Sequence, residues 1–364
     1  MVNKIVFCTF RDNKGATGGP GGVLYLQKEI IGEKLNQYKC EYWFNRYNTS
    51  HRLLRVLNKP LFYYKAYKAS DTYFITHDIE SAYLLSKLHK DYSLIFHHQG
   101  PLVEEKTNFF GELSEKERND IENKERLAFI RAKSVHFPSN GAVNMYFESK
   151  FASCRRDEVN VGRSLFNVIL PQPVKDPADL NIKEEKDVLT FFSLGTLTLA
   201  KGQDQVVVFL TQFLQYYKKK PVRYLIVGKG PLKNEIEASL LKLQNKYDKF
   251  SYQMIDSIPH DSVMYLHMIS DVYIMMHRIS IFDFATLEAM SQSSAIILSK
   301  VGGNTDFNKE DNVIFTEDAL QNMSQFVETD FDSLKKKNKI VFDKYFSSDA
   351  YKKQYVCFVN ELIN

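Results

Sequence analysis

Short β-rich runs alternate with helical patterns of about ten or more residues along most of the chain. The strand candidates are residues 5–10, 41–44, 72–76, 93–97 and 135–138 in the first half, and 189–193, 223–227, 251–254, 272–276 and 295–299 in the second. Helical patterns cover residues 23–35, 79–88, 113–132, 205–217 and 232–246. This alternation is typical of βαβ units with a parallel sheet. The sequence therefore predicts an α/β fold.

Three closely spaced prolines, Pro171, Pro173 and Pro177, separate the two halves and predict an interdomain linker. A chain of 364 residues is also long for a single core. We expect one Rossmann-like domain over residues 1–172 and a second over residues 173–345, facing each other. Ligands of such doubly wound sheets bind at the carboxyl ends of the strands.

The composition excludes several classes of protein. A net charge of +4 is too small to indicate nucleic-acid binding. The four cysteines are far apart and form no Cys-x-x-Cys pair, which argues against structural zinc or a disulfide framework and suits a reducing cytoplasm. The sequence shows neither a signal peptide nor an apolar run long enough to span a bilayer. We expect a cytoplasmic protein that is soluble or peripheral to a membrane.

The stretch from His277 to Met290 is the most informative about function. It follows a strand candidate and begins a predicted helix that carries Glu288. The unpaired N–H groups and partial positive charge of a helix N-terminus suit a phosphate or diphosphate. A glutamate one to two turns further along the helix can hold hydroxyl groups beside that phosphate. This arrangement is what a nucleotide-sugar site requires.

Glycine-rich turns follow three other strand candidates. Residues 18–22 precede the first helix but match neither a dinucleotide fingerprint nor a P-loop, so a loop without a ligand is the alternative. Lys201 and Gly202 follow the strand ending at residue 193. A lysine there can neutralise a leaving diphosphate, although a solvated surface lysine is the alternative. Gly228 lies in a turn after the next strand.

His97 and His98 end the fourth strand candidate, so their rings are expected to point to opposite faces. A structural, hydrogen-bonded histidine is the alternative to a catalytic one. Asp330 and Asp332 resemble the metal-binding Asp-x-Asp of some sugar transferases. They precede a lysine-rich helical region, however, and we interpret them as residues of a helix start rather than metal ligands.

Residues 46–68 contain no acidic residue and combine cationic with aromatic and aliphatic side chains. This pattern is typical of a helix lying on an anionic membrane surface. An ordinary amphipathic domain helix is the alternative. The cationic residues are Arg46, Arg52, Arg55, Lys59, Lys65 and Lys68.

The chain resembles the family 4 glycosyltransferases, retaining enzymes of the GT-B fold that use nucleotide-sugar donors. The resemblance spans the N-terminal glycine loop, the strand around 135–139, and a second-half series. That series comprises Gly195, Lys201-Gly202, Gly228-Lys229-Gly230-Pro231, Leu287-Glu288-Ala289-Met290 and Val301-Gly302-Gly303-Asn304. The resemblance implies a GT-B fold of two facing Rossmann-like domains, binding acceptor at the first and donor at the second. It also implies that residues 346–364 form a helix crossing back to the first domain.

Two positions depart from the pattern of this family. The family has two glutamates separated by seven residues. Glu288 matches the second, which binds the nucleotide ribose, whereas the first falls on Ser280. The phosphate-binding arginine falls on Thr196, while its lysine partner is kept as Lys201. Ser280 or Asp283 is expected to take over the contacts with sugar hydroxyls. Arg278 or Lys300 is expected to supply positive charge.

These expectations combine into one functional hypothesis. The protein is a retaining glycosyltransferase that moves a sugar from a nucleotide sugar to an oligosaccharide acceptor, lipid-linked and part of a bacterial surface polysaccharide. It uses no metal or other cofactor and works at the inner face of the cell membrane. The catalytic residues are Lys201, Glu288, His97 and His98, and the donor-binding residues are Gly21, Gly22, Gly202, Gly228, Ser280, Phe282, Asp283 and Glu288. A catalytically silent GT-B partner and a GT-B sugar-nucleotide epimerase are the alternatives.

Overall fold

The computed structural model describes residues 2–12, 19–45, 56–177 and 182–363. The chain divides into two compact units. The first comprises Met1–Leu170 together with Ser348–Asn364, and the second comprises Pro171–Ser347. Each unit contains one six-stranded sheet whose strands are mostly parallel. The α/β fold with two parallel-strand sheets is therefore confirmed.

The first unit has the strand order β2-β3-β1-β4-β5-β6, in which only β2 is antiparallel to its neighbour. Its strands are β1 Lys4–Cys8, β2 Lys34–Leu35, β3 Tyr38–Trp43, β4 Thr72–Thr76, β5 Tyr92–Ile95 and β6 Ser134–His136. Its helices are α1 Gly19–Ile31, α2 Asn58–Lys68, α3 Ile79–Lys87, α4 Leu102–Phe110, α5 Glu115–Ile130, α6 Asn140–Glu148 and α14 Ser348–Ile363, with a 3-10 turn at Arg156–Glu158.

The central strand β1 is fully buried from Ile5 to Cys8 because it lies between two parallel neighbours. Parallel strands covered on both faces read as continuous apolar runs, which is why the sequence identifies them. Helix α14 packs on this sheet through aromatic contacts. The ring of Tyr355 lies 6.2 Å from that of Phe7, and the ring of Phe358 lies 4.6 Å from that of His136.

Helix α1 begins earlier and ends earlier than the pattern 23–35 predicts. It begins at Gly19 because Pro20 is compatible with a first helical turn, where its missing N–H costs nothing. It ends at Ile31 because Gly32 adopts a positive φ of 73°, which terminates a helix. The following residues, Lys34–Leu35, instead form β2 and pair with β3.

The second unit has the fully parallel strand order β12-β11-β10-β7-β8-β9. Its strands are β7 Leu189–Leu194, β8 Val222–Val227, β9 Phe250–Ile255, β10 Val272–Met275, β11 Ala295–Leu298 and β12 Val313–Phe315. Its helices are α7 Gln203–Tyr216, α8 Lys233–Lys246, α9 His260–Ile269, α10 Phe284–Ser291, α11 Thr316–Gln321, α12 Met323–Phe326 and α13 Phe331–Val341, with a 3-10 turn at Gly302–Phe307 and a π-turn at Phe342–Phe346.

This strand order defines where a ligand of the second unit is expected. Counted from β7, the order across the sheet is 6-5-4-1-2-3, which is the doubly wound dinucleotide-binding topology. After β7 the chain adds β8 and β9 on one side of β7, and it then returns to add β10 on the other side of β7. The crevice where the order reverses therefore lies at the carboxyl ends of β7 and β10. The loops after residues 194 and 275 line that point.

Candidate functional site

Lys201 and Asp283 meet where the two loops at the switch point converge. Nζ of Lys201 lies 2.8 Å from Oδ1 of Asp283, and Asp283 is the N-cap of α10. The Asp283 side chain is 10% exposed and that of Lys201 is 30% exposed. A lysine after β7 and a helix start after β10 are thus brought together although 82 residues separate them.

The other oxygen of Asp283 accepts hydrogen bonds from the first turn of α10 and from β10. The Thr286 backbone N–H donates at 3.1 Å, the Thr286 hydroxyl at 3.3 Å and the Tyr273 hydroxyl at 3.3 Å. Burial opposes ionisation of Asp283, but Lys201 and the Thr286 N–H outweigh it and hold the pKa of this carboxyl well below its usual range. Asp283 is therefore an anion surrounded by donors.

Glycines allow the backbone to pack tightly around this point. Gly202 precedes α7 with a positive φ of 75°, and a Cβ atom there would overlap the carbonyl oxygen of Met276. Gly228, with a φ of 156°, lies so close to Gly195 that a Cβ atom would overlap the Gly195 carbonyl oxygen. These two sequence-predicted residues are required by the packing of the turns after β7, β8 and β10, whatever else they bind.

Glu288 lies one turn further along α10 and is 8% exposed. Its Oε1 atom lies 2.7 Å from Nε2 of His260, the first residue of α9. Its Oε2 atom lies 3.9 Å from Nε2 of the fully buried His267, beyond hydrogen-bond distance. The hydrogen bond with Glu288 raises the pKa of His260, whereas burial lowers the pKa of His267 to about 3.

Several buried polar atoms near the switch point have no hydrogen-bond partner among the described residues. They are Oε1 of Gln203, Nε2 of His277, Oγ of Ser280 and Oδ1 of Asn304. Nδ1 of His277 faces the Asn304 amide nitrogen at 3.4 Å, which places the His277 proton on Nε2. Burial lowers the pKa of His277 to about 4, so this ring is neutral. Its Nε2–H is an unused donor 3.7 Å from Asp283.

The cations expected to replace the missing arginine have other partners. Arg278 forms two hydrogen bonds with Asp204, at 2.9 and 2.6 Å, and a third with the Leu199 carbonyl at 2.6 Å. Its charge is thus neutralised by a carboxylate in the first turn of α7. Nζ of Lys300 lies 5.5 Å from the ring centre of Phe315. Of Arg278, Lys300 and Lys201, it is Lys201 that the structure brings to the start of α10.

Phe282 has a packing role in this loop. It is 2% exposed, and its ring stacks on that of Phe307 at 4.3 Å. Its ring also lies 5.8 Å from that of Phe346. The side chain of Phe282 thus anchors the loop before α10 in an aromatic cluster.

In the first unit, His97 and His98 have different partners. Nε2 of the buried His97 lies 2.9 Å from Nδ1 of His77, and the two rings stack at 5.2 Å. Burial lowers the pKa of His77 to about 3 and that of His97 well below its usual range. Nδ1 of His98 lies 3.0 Å from Glu105. The pair His77–His97 is therefore neutral and hydrogen-bonded as structural histidines are. Within the described ranges, one ring nitrogen of each has no hydrogen-bond partner.

The remaining sequence-predicted positions have local roles. Gly21 and Gly22 belong to the first turn of α1, and a Cβ atom at Gly21 would overlap the backbone oxygen of Asp12. Gly18 lies outside the described residues. Asp330 caps α13 by accepting from the Ser333 N–H at 3.1 Å, as expected for a helix start. Across the described part of the chain, no three His, Cys, Asp or Glu side chains cluster as metal ligands.

Sequence reasoning missed His260, His267 and Gln203 as members of this region, and it named Asn304 only as part of the series that carries the resemblance. His260 follows Pro259 at the start of a helix that the sequence analysis left unassigned. Its only signal was a histidine near the carboxyl end of a strand candidate. Gln203 directly follows the Lys201-Gly202 pair, so its position was a usable clue.

Comparison with solved structures identifies the fold as that of GT-B glycosyltransferases. Sucrose-phosphate synthase from Thermosynechococcus elongatus aligns with a TM-score of 0.67 at 16% identity, covering 99% of both chains. HepE from Anabaena, solved in complex with UDP and glucose, aligns with a TM-score of 0.63 at 13% identity, covering 98% of this chain and 99% of that one.

The sequence of the second unit matches a glycosyltransferase family. The family model "Glycosyl transferases group 1" matches residues 175–340, which include Lys201, Asp283 and Glu288. Among curated proteins, the chain is similar to one of the phosphatidylinositol N-acetylglucosaminyltransferase subunits of Arabidopsis thaliana, at 23% identity over 152 residues. The similarity covers 41% of this chain and 32% of that relative.

Proposed function

We propose that this protein is a retaining glycosyltransferase that uses a nucleoside-diphosphate sugar. One observation carries the proposal: the switch point of the second sheet brings Lys201 to the N-terminus of α10, with Glu288 one turn further along that helix. A cation and a helix start together suit a diphosphate. The family match over residues 175–340 supports the same class of reaction.

Each residue has a defined task in the proposed reaction. Lys201 and the first turn of α10 stabilise the negative charge that grows on the diphosphate as the sugar leaves. Glu288 holds the ribose hydroxyls. The hydroxyl of Ser280, which has no hydrogen-bond partner among the residues that the structure describes, accepts or donates a hydrogen bond at the sugar. The bond from the anomeric carbon to the diphosphate breaks and a bond to the acceptor oxygen forms on the same face. The acceptor proton passes to the departing diphosphate, and no metal is required.

The proposed acceptor is a lipid-linked oligosaccharide of a bacterial surface polysaccharide, reached at the inner face of the cell membrane. Helix α2 supports a lipid-linked acceptor because it exposes aromatic side chains beside lysines. Tyr64 is 61% exposed and Tyr67 is 64% exposed, with Lys68 beside them. Arg46, Arg52 and Arg55 of the same basic segment lie outside the described residues. The Arabidopsis relative, whose name contains phosphatidylinositol, also supports a lipid acceptor.

Among the described residues, no helix combines the length and the apolar character needed to cross a membrane. Membrane contact through α2 is tested by co-sedimentation with anionic vesicles at low and high salt. We expect salt-sensitive binding, since each basic residue near such a surface contributes on the order of 1 kcal/mol. The variant Tyr64→Ser/Tyr67→Ser/Lys68→Glu should bind less. Tyr216→Ser, which changes another exposed tyrosine, is the matched control. Equal recovery of all three proteins would remove α2 from the proposal.

The reaction itself is tested in two stages. Thermal denaturation with a panel of nucleoside diphosphates should show a raised melting temperature with the nucleotide of one base only. The corresponding nucleotide sugar should then yield a product with the donor's anomeric configuration, measured by NMR. Stabilisation by no nucleotide would contradict the proposal. A product with the opposite anomer would contradict retention while leaving glycosyl transfer in place.

A second candidate is a catalytically silent protein that binds a nucleotide sugar or a partner transferase. The specific observation in its favour is that Asp283 already pairs with Lys201. The name of the Arabidopsis relative describes one component of a transferase, which is consistent with such a role. The two candidates differ in one measurement: the silent protein binds nucleotide but releases no nucleoside diphosphate from the matching donor, whatever glycan is supplied.

A further inference from the structure

Asp283 uses the same groups that a donor diphosphate needs. Lys201 donates to Oδ1 at 2.8 Å, while the Thr286 N–H, the Thr286 hydroxyl and the Tyr273 hydroxyl point to Oδ2 at 3.1 to 3.3 Å. A cation, a helix N-terminal N–H and hydroxyls are typical ligands of a phosphate group. In this chain a carboxylate of the protein itself takes these donors.

The charges around this point leave little attraction for an added anion. Lys201 and Asp283 neutralise each other, and His277 is neutral in its buried position. Arg278 is neutralised by Asp204. A diphosphate carries at least two negative charges, so it is repelled by an ionised Asp283 and gains the full charge of Lys201 only if that ion pair opens.

The neighbourhood retains polar groups without partners, which indicates that a ligand belongs there. Nε2–H of His277 is buried, has no acceptor among the described residues and lies 3.7 Å from Asp283 Oδ1. Oγ of Ser280 is likewise buried, and no residue in the described part of the chain hydrogen-bonds to it. Buried polar groups are normally hydrogen-bonded, so these atoms fit a bound molecule better than an empty site.

We infer that Asp283 acts as an internal competitor for the donor diphosphate, which binds at Lys201 only by displacing the Asp283 carboxylate from that lysine. The inference rests on the proposed function for the identity of the ligand. Asp283 thereby sets the affinity of the site for diphosphates. Its capping bond with Thr286 does not require Lys201, so the helix start persists when the ion pair opens.

The test uses Asp283→Asn, because asparagine caps a helix as well as aspartate but carries no charge. Asp330→Asn is the matched control, since Asp330 caps α13 in the same unit and its replacement removes the same charge elsewhere. The probes are inorganic pyrophosphate, which is independent of the base, and UDP, with binding measured by isothermal titration. We expect Asp283→Asn to bind pyrophosphate at least tenfold more tightly than the native protein, or about 1.4 kcal/mol. Asp330→Asn should match the native protein.

Two further variants keep the test decisive. Asp283→Ser retains a capping oxygen and should reproduce the gain if Asp283→Asn folds poorly. Lys201→Gln combined with Asp283→Asn should lose the gain, because the lysine that receives the anion is gone. A gain that persists without Lys201 would overturn the inference. Unchanged or weaker pyrophosphate binding by both single variants would also overturn it and would show that Asp283 orients Lys201 instead.

These outcomes are separable from the failure of the proposed function. If Asp283→Asn gains pyrophosphate affinity but no nucleotide sugar binds or reacts, the competitor inference holds and the glycosyltransferase proposal fails. If the native protein transfers sugar and Asp283→Asn shows no gain, the glycosyltransferase proposal holds and the inference fails. Loss of nucleotide-sugar affinity without any change for pyrophosphate would assign Asp283 to the sugar hydroxyls and would likewise overturn it.

Discussion

Glu288 offers the sharpest test of the proposed donor site, because its two carboxylate oxygens have different surroundings. Oε1 is engaged by His260 at 2.7 Å, while Oε2 lies 3.9 Å from His267 and makes no hydrogen bond with it. If Glu288 holds the ribose, Oε2 is the atom that accepts the hydroxyl. Two substitutions separate the charge of this group from its capacity to accept.

The expected losses follow from the strength of one hydrogen bond. A hydrogen bond to a charged group contributes roughly 1.5–3 kcal/mol, so Glu288→Ala should weaken nucleoside-diphosphate binding by about 10- to 150-fold. Glu288→Gln keeps an acceptor of the same size but loses the charge. A neutral hydrogen bond contributes roughly 0.5–1.5 kcal/mol, which is about 1–1.5 kcal/mol less than a charged one, so Glu288→Gln should weaken binding by only about 5- to 12-fold.

Isothermal titration with the cognate nucleoside diphosphate measures both losses. Glu235→Gln, which removes the same charge from the exposed first turn of α8, is the control and should leave affinity unchanged. His260→Gln tests whether the effect acts through the histidine. Removal of a half-exposed ion-pair partner changes stability by roughly 0.2–1 kcal/mol, so thermal denaturation should show every variant folded.

The reasoning predicts a graded loss of affinity, larger in Glu288→Ala than in Glu288→Gln, and two outcomes would refute it. Affinity unchanged in Glu288→Ala would show that this carboxylate is structural and binds no ribose. Equal losses in both variants, accompanied by a large fall in melting temperature, would show that the half-buried pair with His260 maintains α10 and that nucleotide binding suffers indirectly.

Four further outcomes are expected. Lys201→Ala should lower kcat more than donor affinity, since charge on the diphosphate grows as the sugar leaves, and an equal effect on both measured by steady-state kinetics would contradict this. The pKa of His260 is raised by Glu288, so the stabilisation from this histidine is complete below its ordinary pKa of about 6.5 and is lost as pH rises through the raised value. Urea denaturation at several pH values should show that this pH-dependent part of the free energy of unfolding is missing in His260→Gln. Gly202→Ala should destabilise the protein by more than about 1–2 kcal/mol, because a left-handed φ is unfavourable for alanine and its Cβ would overlap the Met276 carbonyl. A decrease below about 0.5 kcal/mol in the free energy of unfolding, measured by urea denaturation, would contradict this geometry. EDTA should leave turnover unchanged, and restoration of a lost activity by magnesium or manganese would count against the proposed site.

The architecture could be predicted from local sequence because each strand and its turn carry their own signal. Strand β4 occupies the predicted residues 72–76, and β10 and β11 each end one residue earlier than predicted. These strands are buried on both faces and therefore read as apolar runs bounded by turn residues. The same local signals placed Lys201 after β7 and Glu288 within the helix after β10.

Local signals were less reliable at element ends and for small elements. The sequence placed the first helix four residues late, because glycines read as a loop although Gly21 is helical and packs against Asp12. It gave no sign of β2, a two-residue strand that exists only through its pairing with β3. In both cases the outcome depends on contact with another segment of the chain and not on the local pattern alone.

The chemistry of the site was decided by the tertiary structure alone. Asp283 was expected to contact sugar hydroxyls, yet its ion pair with Lys201 joins residues 82 positions apart. Glu288 was expected to bind ribose, yet His260, 28 positions earlier, holds one of its oxygens. Propensity and periodicity describe each segment, but the strand order of the sheet determines which loops meet at its carboxyl edge. The partner of each charged group therefore follows from the topology, which no local pattern in the sequence encodes.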